Sequence, residues 1–197
     1  MKYVVMDLEW NQPMVYKKKR PGLNGEIMQI AAVMIDEELD ALGEFNQMIK
    51  PNFYPQINKE IKELTLITEE ELYAGLSFPE AAESFRKWCG DEFKFISWGT
   101  EDTRMLVNNL EAYEMDDSWI PDTIDAQVIF DDQFTQDDRS FALNYALWYF
   151  EEKPDGAHNA LADVYSTIKV MKHMDMEEGF TDEYYVIDYS GGEDDET

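Results

Sequence analysis

The sequence predicts an α/β domain, and three observations carry that prediction. Tyr3–Trp10 opens the chain as a near-continuous apolar run, short enough for one buried strand. Two more strand-like segments follow, joined to each other by the short Asp36–Leu42 connection, which gives an antiparallel start. From Ser77 onward, strands alternate with segments whose apolar residues recur at helical spacing, the pattern of parallel strands joined by helices.

The first strand holds two carboxylates. A strand turns residues i and i+2 to one face, so Asp7 and Glu9 project side by side. Like charges held that close in a core destabilise it unless something neutralises them, and a divalent cation is the usual answer. Asn11 to Gly25 reads as a loop carrying Lys17-Lys18-Lys19-Arg20, either a solvated tract or an arm that contacts phosphates. Glu26–Ile35 is the second strand and Gly43–Ile49 the third. Thr68-Glu69-Glu70-Glu71 has the layout of a capping box at a helix start. Phe78, Ala81, Ala82, Phe85, Trp88 and Cys89 then form a helical stripe that Gly90 stops. Cys89 lies on that stripe and reads as a packed thiol.

Phe93–Trp98 is a strand, and Gly99-Thr100 turns the chain into the next helix. Asp102 begins the inward face of that helix, with Met105, Leu106, Asn109, Leu110 and Tyr113 behind it. It sits just past a strand end, where α/β sites are built, although an acid in a first turn is favourable on dipole grounds alone. Asp122–Asp125 is a short strand leading into Ala126–Phe130, and Ser140 is expected to cap a helix bearing Phe141, Leu143, Ala146, Leu147 and Phe150. Asp155-Gly156 feeds a last helix, running to about Met174. Asp163 lies there on a flanking stripe with Ala160, Thr167 and Val170, apart from Ser166 and Lys169, which are expected to face solvent. His158 stands at the helix entrance, five residues before Asp163. His173 reads as an ordinary surface or core histidine.

A chain of 197 residues, 44% hydrophobic and 14% aromatic, suits one globular domain over 1–176 with an acidic tail over 177–197. No stretch suggests a membrane span, and a single cysteine suits the cytoplasm. The net charge of −27 argues against broad nucleic-acid binding, so any contact with phosphates must be local or made through metal. The tail accounts for −9 of it, leaving −18 on the body.

In this order and context the segments VVMDLEW, ISWGTEDTRML and AHNALADVYST resemble the three motifs of the DEDDh family of 3′–5′ exonucleases. The resemblance runs from about Met1 to Met174, includes the second strand, and is nearest to the Eri-type and KapD-type RNA-directed branch. It departs in two places: Leu66 stands where the family's Leu-Thr-Gly-Ile-Thr stretch has glycine, and the basic residue many members carry just before the histidine is absent. The resemblance implies a ribonuclease H-like fold, a central mixed five-stranded sheet flanked by helices. It also implies hydrolysis of RNA, or of single-stranded DNA, from a 3′ end to nucleoside 5′-monophosphates. Two Mg²⁺ or Mn²⁺ ions would be held by Asp7, Glu9, Asp102 and Asp163, with Asp7 bridging both and Asp102 acting through water. Hard carboxylate oxygens suit such ions, and a histidine of near-neutral pKa, His158, suits a general base for the attacking water. Trp10, Leu64, Thr65, Ile67, Trp98 and Asn159 are the residues expected to meet the terminal nucleotides. Two other readings stand beside it: a non-catalytic protein-binding module on the same fold, and a plain acidic cation binder, for which the EF-hand pattern is missing.

Overall fold

The computed structural model of the chain describes residues 1–14, 20–135, 139–156, 159–181 and 186–187. Strands β1 (Tyr3–Asn11), β2 (Glu26–Ile35), β3 (Ala41–Met48), β4 (Lys94–Ser97), β5 (Thr123–Asp125) and β6 (Val186–Ile187) form one sheet in the order β3-β2-β1-β4-β5-β6. β1, β4 and β5 are parallel, and β2, β3 and β6 each run antiparallel to their neighbour. The mixed α/β sheet has the five expected strands plus a sixth, drawn from the segment expected to be tail.

Burial follows from position in that order. All ten residues of β2 are buried, as an apolar run covered on both faces must be. β3 lies at the edge, and only part of each residue is covered. In β1 the side chains divide by parity. Tyr3 and Val5 face a core with α5 (Ala126–Phe134), α6 (Leu143–Tyr149) and α7 (Ala160–Met171), whereas Val4, Met6 and Leu8 face α3 (Phe78–Cys89) and α4 (Glu101–Ala112). Asp7 and Glu9 continue the row of Tyr3 and Val5 and therefore point toward α7. On the other face, Phe85 and Phe95 stack at 5.9 Å, both fully buried. Truncating either to alanine removes about 3–5 kcal/mol of packing.

Two short helices, α1 (Lys59–Thr65) and α2 (Glu69–Ala74), follow β3, the second closed by the Thr68–Glu71 capping box. After α7 comes α8 (Met176–Thr181), whose Phe180 stacks on Tyr3 at 4.0 Å. The fold thus continues beyond residue 176, and residues 188–197 lie outside the described residues.

Two local readings change. Ser140 is not the cap of α6: the helix starts at Leu143 with Ala142 as N-cap. The carbonyl of Phe141 is held instead by Trp98 and Gln127, which keeps that residue out of the helix. Ser166 is buried rather than solvated, because the loop before α7 folds back over it: Ser166 accepts from Asp155 N at 3.4 Å, and Lys169, half-buried, reaches the Lys153 carbonyl and the Asp155 carboxylate. Arg20 is engaged within the fold, donating to the Ala112 carbonyl at 2.7 Å and stacking 4.2 Å over Phe53, while Lys17–Lys19 lie outside the described residues. His173 pairs with Glu152 at 2.9 Å and stacks on Phe150.

Candidate active site

The carboxylates converge where the parallel strands end. β1 leads back to β2 on one side, while β4 and α4 lead to β5 on the other, so the boundary between β1 and β4 is a topological switch point, the usual place for a site in an α/β sheet. Asp7 and Glu9 come from the end of β1, next to an irregularity in pairing between Glu9 and Trp10. Asp163 comes from the first turn of α7. One carboxylate oxygen from each of the three lies within 4.8 Å of the others.

Asp102 is buried beside that triad without being one of its three members. Its Oδ1 accepts the Leu8 N–H at 3.0 Å. β1 pairs with β4 only as far as Val5, so the Leu8 donor lies beyond the last strand partner on that side, and the Asp102 carboxylate satisfies it.

The electrostatics are those of crowded acids. Burial, then Asp102, Glu9 and Asp163, hold the Asp7 carboxyl well above its usual range. Burial, then Asp163 and Asp102, push Glu9 up to about 7. Burial likewise raises Asp102 to about 7, against the lowering effect of the Leu8 N–H. Among the described residues, neither Asp7 nor Glu9 has a hydrogen bond or ion pair through its side chain. A cluster of hard oxygen donors, with no cationic side chain paired to Asp7 or Glu9 among the described residues, fits divalent cations.

Two of the triad, Asp7 and Asp163, line a cavity of about 540 Å³ together with Trp98, Leu143, Asn144 and Pro154. Trp98 is a wall of that cavity, its Nε1 donating to the Phe141 carbonyl at 3.0 Å. The other expected nucleotide contacts fall into different settings. Trp10 packs against the α3–α4 core and over Gly25, where an added Cβ would stand 2.5 Å from its ring, so only glycine fits there. Thr65 is buried, donating to the Ile61 carbonyl and accepting from Ile67 N. Ile67 packs with Met28 and Leu72 and serves the core, while Leu64, half exposed, has surface to offer. Asn159 caps α7, its Oδ1 accepting from Leu161 N at 3.1 Å. His158 lies outside the described residues.

Asp125 was not singled out by the sequence. Buried at the end of β5, it accepts from Gly99 N at 3.0 Å and from Gln127 N and Val128 N, and burial raises its pKa. It ties the turn before α4, where Gly99 takes φ +89°, to the start of α5. Its signal was the helix N-cap pattern, an acid directly before Ala126-Gln127-Val128.

The fold is that of ribonuclease H-like exonucleases. A 3′-exonuclease that recognises the histone mRNA stem-loop is similar over 94% of this chain and 84% of its own, with TM-score 0.77 and 15% identity. Cell-death related nuclease 4 matches over 90% of this chain and 64% of its own, with TM-score 0.72 and 18% identity. E. coli exonuclease I bound to a dT13 oligonucleotide matches over 87% of this chain but only 40% of its own, with TM-score 0.68 and 19% identity. At these identities the likeness is one of fold. No curated protein matches the sequence. The profile of the RNase_T exonucleases matches residues 4–171, and the chain belongs to that exonuclease family. It is therefore a nuclease, and among its described residues no helix is long and apolar enough to cross a membrane.

Proposed function

We propose that the protein is a metal-dependent 3′–5′ exonuclease that removes nucleoside 5′-monophosphates from single-stranded 3′ ends, RNA ahead of DNA. The observation that carries this reading is the triad of Asp7, Glu9 and Asp163, with one carboxylate oxygen of each within 4.8 Å of the others and two of the three acids lining an open cavity. Two Mg²⁺ or Mn²⁺ ions held there and by Asp102 would polarise the scissile phosphate and activate water. Asp7 and Glu9 present their oxygens from one strand face, and Asp163 closes the set from α7. Asp102 keeps the backbone between Asp7 and Glu9 in place. His158 takes the proton of the attacking water, and Trp98 offers the terminal base a flat wall. The preference for RNA draws support from the neighbour that recognises the histone mRNA stem-loop and from a similar nuclease domain bound to rAMP, although E. coli exonuclease I is bound to dT13. The single buried thiol, Cys89, suits the cytoplasm, where we place the enzyme.

The test is degradation of 5′-labelled RNA and DNA oligonucleotides with Mg²⁺, with Mn²⁺ and with EDTA. A ladder shortened stepwise from the 3′ end, faster on RNA and abolished by EDTA, is expected. Internal cuts, 5′ shortening or full activity in EDTA would overturn the reading.

A further inference from the structure

Beside the cavity lies a surface strip that the hydrolytic chemistry leaves unused. Residues 139–150, RSFALNYALWYF, include no acid in a chain that carries 43. The strip begins at the cavity, where Ala142, Leu143 and Asn144 share the lining with Asp7 and Asp163. Aromatic rings run along it from there. Phe141 stacks on Tyr145 at 4.3 Å with 26° between the planes, and Tyr145 meets Trp148 at 5.5 Å. The Trp148 side chain is 70% exposed. The Arg139 guanidinium lies 5.5 Å over the Phe141 ring.

The strip is rigidly supported. Tyr145 meets the buried Phe130 edge-on at 6.4 Å, and the Phe141 carbonyl accepts from Trp98 Nε1 at 3.0 Å and Gln127 Nε2 at 2.8 Å. The cavity wall and the first ring of the strip are thus one hydrogen-bonded unit. An indole exposed to this extent adds little to the core. Flat rings in series with one cation nearby are what a sequence-tolerant single-strand platform needs. Charge favours the same occupant: a chain of net charge −27 repels a polyanion, and a strip whose own residues carry no acid, although Asp131 accepts the Phe141 N–H at 3.3 Å, is a less repulsive approach to the cavity.

We propose that this strip binds the single-stranded nucleic acid just upstream of the 3′-terminal nucleotide, its bases stacking on Tyr145 and Trp148 and a phosphate lying near Arg139. The proposal rests on the exonuclease reading of the cavity and adds the path of the strand that leaves it. It makes affinity depend on strand length, since only a strand longer than the occupant of the cavity reaches Trp148.

The experiment measures binding and cleavage separately, for wild type, Trp148→Ala, Tyr145→Ala and Trp148→Phe. Binding of a fluorescein-labelled single-stranded 12-mer is read by anisotropy in Ca²⁺, and cleavage of the same 12-mer and of a dinucleotide is read in Mg²⁺. Losing one stacked base should weaken 12-mer binding and raise its KM by roughly 5- to 100-fold. Dinucleotide kinetics and the kcat on the 12-mer should stay at wild-type values, and Trp148→Phe should recover most of the loss. Unchanged 12-mer binding in Trp148→Ala overturns the proposal, as does an equal loss on the dinucleotide. Sedimentation in which Trp148→Ala converts a dimer to monomer, with 12-mer binding intact, overturns it in favour of a second copy of the chain. A wild type that binds the 12-mer through Trp148 but cleaves nothing supports the strip and overturns the reaction. A wild type that cleaves while Trp148→Ala cleaves every length equally well does the reverse.

Discussion

Oδ1 of Asp102 accepts the backbone N–H of Leu8, the residue between Asp7 and Glu9, at 3.0 Å. One bond therefore closes the strand edge that β4 leaves open and brings a further acid to the site. It needs an oxygen and not a charge. Asp102→Asn keeps an acceptor and removes a buried charge, so the metal-free protein should be at least as stable as wild type. Asp102→Ala orphans the Leu8 donor and should lose about 1–3 kcal/mol. Both should lose activity by on the order of 10²-fold or more if Asp102 helps hold a cation. Urea unfolding beside a cleavage assay checks the pair, and equal stability losses in the two variants would count against the assigned bond.

The raised carboxylates make metal-free stability depend on pH in a definite direction. Glu9 and Asp102 titrate near 7 in the fold, and Asp7 stands well above its usual value, whereas unfolded carboxyls titrate near 4. Between these limits the native state binds more protons, so stability falls as pH rises from about 4 through about 7. Glu71, Glu80 and Asp116 shift the other way, chiefly through their hydrogen bonds to Thr68, Ser77 and Ser118, and act only at the acid end. Thermal unfolding in EDTA should show this decline, and Glu9→Gln should flatten it. Millimolar Mg²⁺ should restore stability at pH 8 and do little at pH 5, because at low pH it competes with bound protons. The same slope in Glu9→Gln as in wild type would contradict the shift assigned to Glu9.

Leu66 ends α1 in the left-handed region, at φ +59° and ψ 8°, with its side chain exposed. A leucine there is strained by about 1–2 kcal/mol, offset in part for glycine by the freedom glycine adds to the unfolded chain. Leu66→Gly should therefore raise stability by on the order of 0.5–1 kcal/mol, read from a urea midpoint at unchanged slope. A lower midpoint would show that the Leu66 side chain makes a contact worth more than the strain.

Much of the fold was legible because its signals are local. The β2 run, the capping box at Thr68 and the stripe of Phe78 and Phe85 each specify an element within one window of sequence. Asp7 and Glu9 were legible for the same reason, since strand parity alone places them side by side. What was hidden depends on chain returning from elsewhere. Ser166 looks solvated until the Lys153–Asp155 loop covers it, and Ser140 looks like a cap until Trp98 and Gln127 take the Phe141 carbonyl. A two-residue strand such as β6 has no periodicity to read, and it sits in an acidic segment. Asp125 reads only as an N-cap, because the Gly99 donor it also holds lies 26 residues away. The helix at α6 was read from Phe141, Leu143, Ala146, Leu147 and Phe150, and only the packing shows that Tyr145 and Trp148 present their rings outward.

Single-turnover cleavage of a 5′-labelled oligonucleotide by wild type, Asp163→Asn and His158→Ala, with Mg²⁺ affinity titrated separately, decides whether these carboxylates form a metal-dependent exonuclease site. Wild type should shorten the strand from its 3′ end only when Mg²⁺ is bound. Asp163→Asn should lose cation affinity and cleavage together. His158→Ala should keep cation affinity and lose roughly 10²–10⁴-fold in rate, the worth of a general base. Cleavage by Asp163→Asn at the wild-type rate and the wild-type Mg²⁺ requirement would contradict the account.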